Sequence, residues 1–138
     1  MSSRLEIVYK DLQKEHRRIM KVIERLRASD TTAELPKQLG QLRALLIVHF
    51  SREQLPDGFY DALGERAQHR QDEIRTLTGD HATILSTLNS LIEDLASTDL
   101  GADADTRARI EHLIGQVDDH ESREHRFAVS VLGQQAGG

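Results

Sequence analysis

The sequence predicts an all-α fold, an antiparallel up-down-up-down four-helix bundle. Three observations carry that prediction. Apolar residues recur at alternating spacings of three and four, the period of a helix with one buried face, and β-branched alternation is nowhere sustained. Only two prolines occur in 138 residues, so long helices run without interruption. The segments between the periodic runs are short, which makes sequence neighbours antiparallel neighbours in space.

The first helix is expected over 4–27, with a seam of Leu5, Tyr9, Leu12, His16, Ile19, Ile23 and Leu26. Ser29-Asp30-Thr31-Thr32 breaks it. Thr31 followed by Glu34 reads as a capping box, with Pro36 in the tolerated first turn. The second helix follows over 34–54, with a seam of Leu35, Leu39, Leu42, Leu46, His49 and Glu53. Pro56-Asp57-Gly58 ends it as a turn rather than a lid, and Phe59 to Leu63 adds at most a short helical turn. The third helix is expected over 65–96, with Ile74, Leu77, His81, Ile84, Leu88, Leu91 and Leu95 on its seam. Ser97 to Asp103 is a loop, and Asp103 or Asp105 is the N-cap of a fourth helix over 104–132. That last seam runs Ile110, Leu113, Val117, His120, Glu124, Phe127 and Val131. Gly133 reads as the C-terminal stop. One domain thus fills 1–133, and a tail over 134–138 is expected to be disordered.

Bulk composition narrows the function. There are no cysteines, which removes disulfides, thiolate metal sites and cysteine nucleophiles. The net charge is −5 with both signs mixed along the chain, so there is no basic patch for nucleic acid. Aromatics make up 4% and tryptophan is absent, which leaves no base-stacking platform. No run is long and apolar enough to span a membrane. The opening Met1-Ser2-Ser3-Arg4 carries no apolar signal core, so a cytoplasmic location is expected. Seven histidines is a high count for this length.

Polar residues of one kind interrupt the seams. Every helix carries one seam histidine, and the second and fourth add a glutamate one turn later, as His49-x-x-x-Glu53 and His120-x-x-x-Glu124. Their levels agree. His81 precedes the last loop by about 16 residues and His120 follows it by about 17, roughly 25 Å of helix on each side. His16 and His49 come within about 5 Å of one level. Buried carboxylates without partners cost several kcal/mol, so such a layer needs a counter-charge. Four imidazoles and two carboxylates without sulfur suit iron, manganese or zinc, and they exceed the needs of one ion. The expected metal ligands are His16, His49, Glu53, His81, His120 and Glu124. His69, His112 and His125 fall off the seams and read as surface residues, with His125 the replacement ligand if the register differs. Glu15, Asp80 and Asp119 each precede a seam histidine and read as solvated, unless a neighbouring helix recruits them. Glu121 is expected to point away, and Tyr9 to pack.

Other metal or catalytic motifs fail on spacing. His120-Glu121-Ser122-Arg123 is followed by Glu124 where a metalloprotease needs histidine, and no glutamate lies three residues before a histidine, as ferritin-like sites require.

With these residues in view, the chain resembles the hemerythrin HHE cation-binding domain family over roughly residues 4–132. The resemblance rests on His16, on His49-Phe50-Ser51-Arg52-Glu53, on the isolated His81 and on His120-Glu121-Ser122-Arg123-Glu124. It implies a hemerythrin-like bundle holding two non-haem irons with an oxo or hydroxo bridge. It also implies that Glu53 and Glu124 bridge them. Oxygen carriers of that family have two third-helix histidines one turn apart, whereas Leu77 and Leu85 flank His81 here. They also end on an aspartate where this chain has His125. The resemblance therefore implies a centre one imidazole short, with an open position. The expected function is binding or sensing of O2, NO or iron. The alternative is a di-iron enzyme decomposing peroxide or other reactive oxygen or nitrogen species. Whether the domain is an enzyme, and whether it has a redox or signalling protein partner, stay open at this stage.

Overall fold

A computed structural model describes residues 4–28, 34–54, 58–97 and 104–136. Among them there is no strand. Four long helices and one short one follow in order: α1 (Arg4–Ala28), α2 (Leu35–Gln54), α3 (Phe59–Arg66), α4 (Gln71–Ser97) and α5 (Ala104–Ala136), with a single 3-10 turn at Gln68–Arg70. Each long helix packs on its sequence neighbour, α1 on α2, α2 on α4 and α4 on α5, and α5 returns to α1. The α1–α5 seam is the most sparsely packed of the four.

The expected boundaries hold except at two places. The third long helix begins at Gln71, not at 65, because Phe59–Arg66 forms a helix of its own. Ala67 leaves the helical conformation (φ −132°, ψ 59°), and its N–H caps Leu63 O at 2.9 Å. Phe59, Tyr60, Leu63 and Ala67 all bury at this corner. Gly64 permits it. A Cβ there would stand 3.1 Å from the Gln71 side chain, closer than ordinary contact, so α3 and the start of α4 approach over a missing side chain. The second difference is Gly133, which lies inside α5 rather than ending it. The helix continues to Ala136. The expected caps at Thr31 and Asp103 and the turn residues Pro56 and Asp57 lie outside the described residues. Asp105 sits in the first turn of α5.

The core is divided in two. One apolar cluster joins Ile19, Ile23 and Leu26 of α1, Leu35 to Leu46 of α2, Ile84 to Leu91 of α4 and Ile110 to Val117 of α5. The other joins Leu5 and Leu12 of α1, Phe59 and Leu63 of α3, Leu77 of α4 and Phe127 and Val131 of α5. On α1, α4 and α5 the seam histidines fall between the two, and on α2 His49 and Glu53 flank Phe50, the last α2 residue of the first cluster. The apolar seams therefore set the level at which the polar residues meet.

Truncating the first cluster tests this division of labour. Leu42 has no exposed surface, so Leu42→Ala is expected to cost about 2–5 kcal/mol through lost burial and a cavity. Val48 is 49% exposed, and Val48→Ala is expected to stay within about 0.5 kcal/mol. Chemical unfolding of both variants measures the contrast.

Candidate metal centre

Five of the six expected ligands are buried together. His49, Glu53, His81, His120 and Glu124 retain 3% exposure or less. Helix period explains the convergence: each seam residue follows an apolar one by three or four positions and so points inward with it. His16 sits at the edge, half-buried on α1.

The imidazoles present their Nε2 edges to the carboxylates. His81 Nε2 lies 3.1 Å from Glu53 Oε1. His49 Nε2 lies 3.8 Å from Glu53 Oε2, and His120 Nε2 lies 4.0 Å from Glu53 Oε1. His120 Nε2 also touches Glu124 Oε1. One ion about 2.1 Å from each ligand atom sets adjacent ligands roughly 3 Å apart and opposite ones roughly 4 Å apart. The distances fall in that span.

The opposite ring edges are held from behind. His120 donates from Nδ1 to Asp80 Oδ2 at 2.9 Å, and Arg123 Nη2 holds the same oxygen at 2.9 Å. His81 donates from Nδ1 to Gln54 Oε1 at 2.9 Å. His49 Nδ1 faces Glu15 Oε1 at 3.9 Å. An Nδ1–H donor leaves the Nε2 lone pair free to ligate and fixes the ring plane. Phe50 stacks on His81, ring centroids 3.8 Å apart, and the buried Tyr60 hydroxyl donates to His81 Nε2 at 2.8 Å.

The polar layer is incomplete as a hydrogen-bonded network. Both oxygens of Glu53, Glu124 Oε1, His120 Nε2 and His49 Nδ1 are buried without a hydrogen-bond partner among the described residues. Burial, and then the neighbouring Glu124 carboxylate, push the Glu53 carboxyl well above its ordinary range. Burial, reinforced by His120 and His49, pushes the His81 imidazole down to about 3. It is therefore neutral and ligand-ready at physiological pH. Burial opposes charge on His120 as well, yet the adjacent Glu124 and Asp80 carboxylates hold its pKa above the usual histidine value. These are the marks of donor atoms collected around a missing positive charge.

The sequence reading of Glu121 needs correction. Expected to point away from the core, it turns into the site and accepts from His49 Nε2 at 3.1 Å. Its other oxygen lies 3.3 Å from His16 Nδ1, and the His16 pKa rises through that partner. Burial alone would raise the Glu121 pKa, but the bonds from His16 and His49 hold it well below the carboxylate range. A signal was present. Asp118, Glu121 or Ser122, and His125 recur at three and four on α5, a second stripe beside the seam. That stripe faces the sparse α1–α5 gap. There a cavity of about 480 Å³ opens, lined by Tyr9, His16 and Met20 of α1 and by Asp118, Glu121 and His125 of α5, with His49, Glu53 and Glu124 at its floor.

Neighbouring helices do recruit Glu15 and Asp80, the condition under which the sequence admitted them, and Asp119 stays exposed as expected. His69 and His112 are surface residues. His125 does not join the carboxylate cluster. It hydrogen-bonds Tyr9 across the cavity. Tyr9 packs on Phe59, as expected of a seam residue, and in addition lines the cavity.

A family model described as the hemerythrin HHE cation binding domain matches residues 7–126. The chain belongs to the hemerythrin HHE family. No curated protein and no solved structure matches it. A hemerythrin-like domain binds metal cations, and the buried His/Glu cluster fits a metal site. No helix among the described residues is long and apolar enough to cross a membrane.

Glu53 should change sign as a stability determinant when metal is removed. Its folded pKa is raised, so the metal-free fold loses stability as pH climbs above the unfolded carboxylate value toward the raised one. In chelator-treated protein Glu53→Gln is expected to be more stable than wild type at pH 7.5, with the gap closing below about pH 4.5. With metal bound, the same substitution should destabilise. Denaturant midpoints across pH, with and without chelator, read both effects. For the ring supports, Asp80→Ala is expected to weaken metal affinity about 10- to 100-fold, measured by competition against a chromophoric chelator.

Proposed function

We propose that this hemerythrin-family domain holds a non-haem di-iron centre in an up-down-up-down antiparallel bundle, and that the centre binds or senses O2, NO or iron. Glu53 and Glu124 are its bridging carboxylates, and His16, His49, His81 and His120 divide between the ions. The observation that carries the reading is Glu53: fully buried, neither oxygen hydrogen-bonded, faced by three imidazole Nε2 edges. The order of the two apolar clusters along α5, opposite to that along α1 and α4, supports the antiparallel arrangement. Nitrogen and oxygen donors without sulfur are the set that iron shares with manganese and zinc, and carboxylate bridging favours a pair of ions.

When bound, such a pair supplies Lewis acidity and electrons to a small ligand. The chain's own residues then have distinct tasks. Asp80 and Gln54 hold the ring planes of His120 and His81. Glu53 and Glu124 hold the negative charge that balances the ions. Phe50 and the apolar clusters keep water from the inner side. One observation favours the enzymatic reading, a centre that decomposes peroxide or other reactive oxygen or nitrogen species. The α1–α5 cavity is half polar and open, unlike the dry pocket that protects a reversible oxygen adduct from hydrolysis and proton entry. We place the domain in the cytoplasm, with a small diatomic molecule or peroxide as its ligand and a redox or signalling protein as a further partner.

Elemental analysis of protein purified in air, with an absorption spectrum of the same sample, tests the centre. Two irons per chain with near-ultraviolet charge-transfer shoulders are expected. One zinc, or no metal after anaerobic iron loading, would overturn the assignment. An adduct that forms with O2 and leaves on degassing selects the binding function. Peroxide turnover far above that of free iron, abolished in His81→Ala, selects the enzyme.

A further inference from the structure

The donor atoms fall into two groups that share one residue. Atoms of Glu53, His81, His120 and Glu124 lie within 4.8 Å of one another, and so do atoms of His49, Glu121 and Glu124. The first group is buried throughout, whereas Glu121 in the second is part-exposed. His49, Glu121, Glu124 and His16 all line the α1–α5 cavity, and His81 and His120 do not.

Resting on the two-cation reading above, we propose that Glu121 is a ligand of the outer of the two cation seats and not of the inner one. The inner seat is Glu53, His81, His120 and Glu124, all buried. The outer seat is His16, His49 and Glu121 at the cavity floor, and it shares the bridging Glu53 and Glu124 with the inner one.

Three features support this assignment. The 3.1 Å between Glu121 Oε1 and His49 Nε2 and the 3.3 Å between Glu121 Oε2 and His16 Nδ1 match the roughly 3 Å spacing of adjacent ligands on one ion. His49 and Glu124 are buried, at 1% and 3% exposure, and His16 Nδ1, which faces Glu121, is a buried atom with no hydrogen-bond partner among the described residues. Glu121 also gives the outer seat a carboxylate of its own, which makes up in ligand number for the absent fifth imidazole. The inner seat gains nothing from Glu121, because its carboxylate turns toward α1 and α2.

The two seats separate in a titration. Full-length metal-free protein is loaded anaerobically with Fe(II), and in parallel with Mn(II), and native mass spectrometry counts ions per chain. Wild type is expected to fill in two steps. Glu121→Gln is expected to keep the first step and weaken the second about 100-fold or more. Glu121→His is expected to recover the second ion, because imidazole can ligate from the same position. Asp119→Asn, on the same helix but exposed, is expected to leave both steps unchanged. Two ions at wild-type affinity in Glu121→Gln would overturn the proposal, as would equal weakening of both steps. A wild type that binds no ion would instead overturn the cation reading on which it rests. Circular dichroism guards the interpretation. If Glu121→Gln loses helix, two-step filling by a folded Glu121→His carries the test, and single-ion filling there counts against the outer seat.

Discussion

Glu53 holds a full carboxylate inside a core where neither oxygen finds a hydrogen-bond donor. Such a group costs several kcal/mol unless positive charge reaches it. Much of the structure is arranged around that demand. Two apolar clusters, one on each side, fix the height at which α1, α2, α4 and α5 deliver their polar residues. Asp80, Gln54 and Phe50 then fix the ring planes of His120 and His81, so that their Nε2 edges rather than their N–H groups face the carboxylate. Hydrogen bonding within the chain leaves the layer unfinished, and a cation finishes it.

The same constraint explains why the site lies off-centre. Three helix pairs pack closely and shut one side, while the sparse α1–α5 seam leaves the other open. Carboxylates accumulate toward that opening, from Glu53 through Glu124 to Glu121 and Asp118. A negative cavity favours cation entry and raises the local concentration of counter-charges. It also admits water, which a protected oxygen carrier excludes.

Much of this was legible from residue spacing. His16, His49, His81 and His120 stood out because each interrupts an apolar seam, and Glu53 and Glu124 because each follows a histidine by one turn. A four-helix bundle followed from the same periodicity. The supporting residues were harder to read. Asp80 and Glu15 neighbour their helices' own histidines but serve histidines of other helices, His120 and His49, and adjacency in sequence points such residues about 100° apart. Glu121 was misread for that reason. It diverges from His120 yet enters the site from the α1 side, where the bundle is open. The corner at Ala67 was hidden because no proline marks it. Only Gly64, too small to separate α3 from Gln71, signals the tight approach. Gly133 failed as a stop because a glycine preceded by strong helical pattern lowers helix stability without ending the helix.

The central claim is that a cation completes the buried polar layer. Equilibrium unfolding of chelator-treated and Fe(II)-loaded protein, both anaerobic and at matched protein concentration, tests it most directly. Binding to the folded state alone adds about 2.7 kcal/mol per site at 100 times the dissociation constant. The denaturation midpoint is therefore expected to rise steadily with free Fe(II). Superimposable curves at every Fe(II) concentration would contradict it.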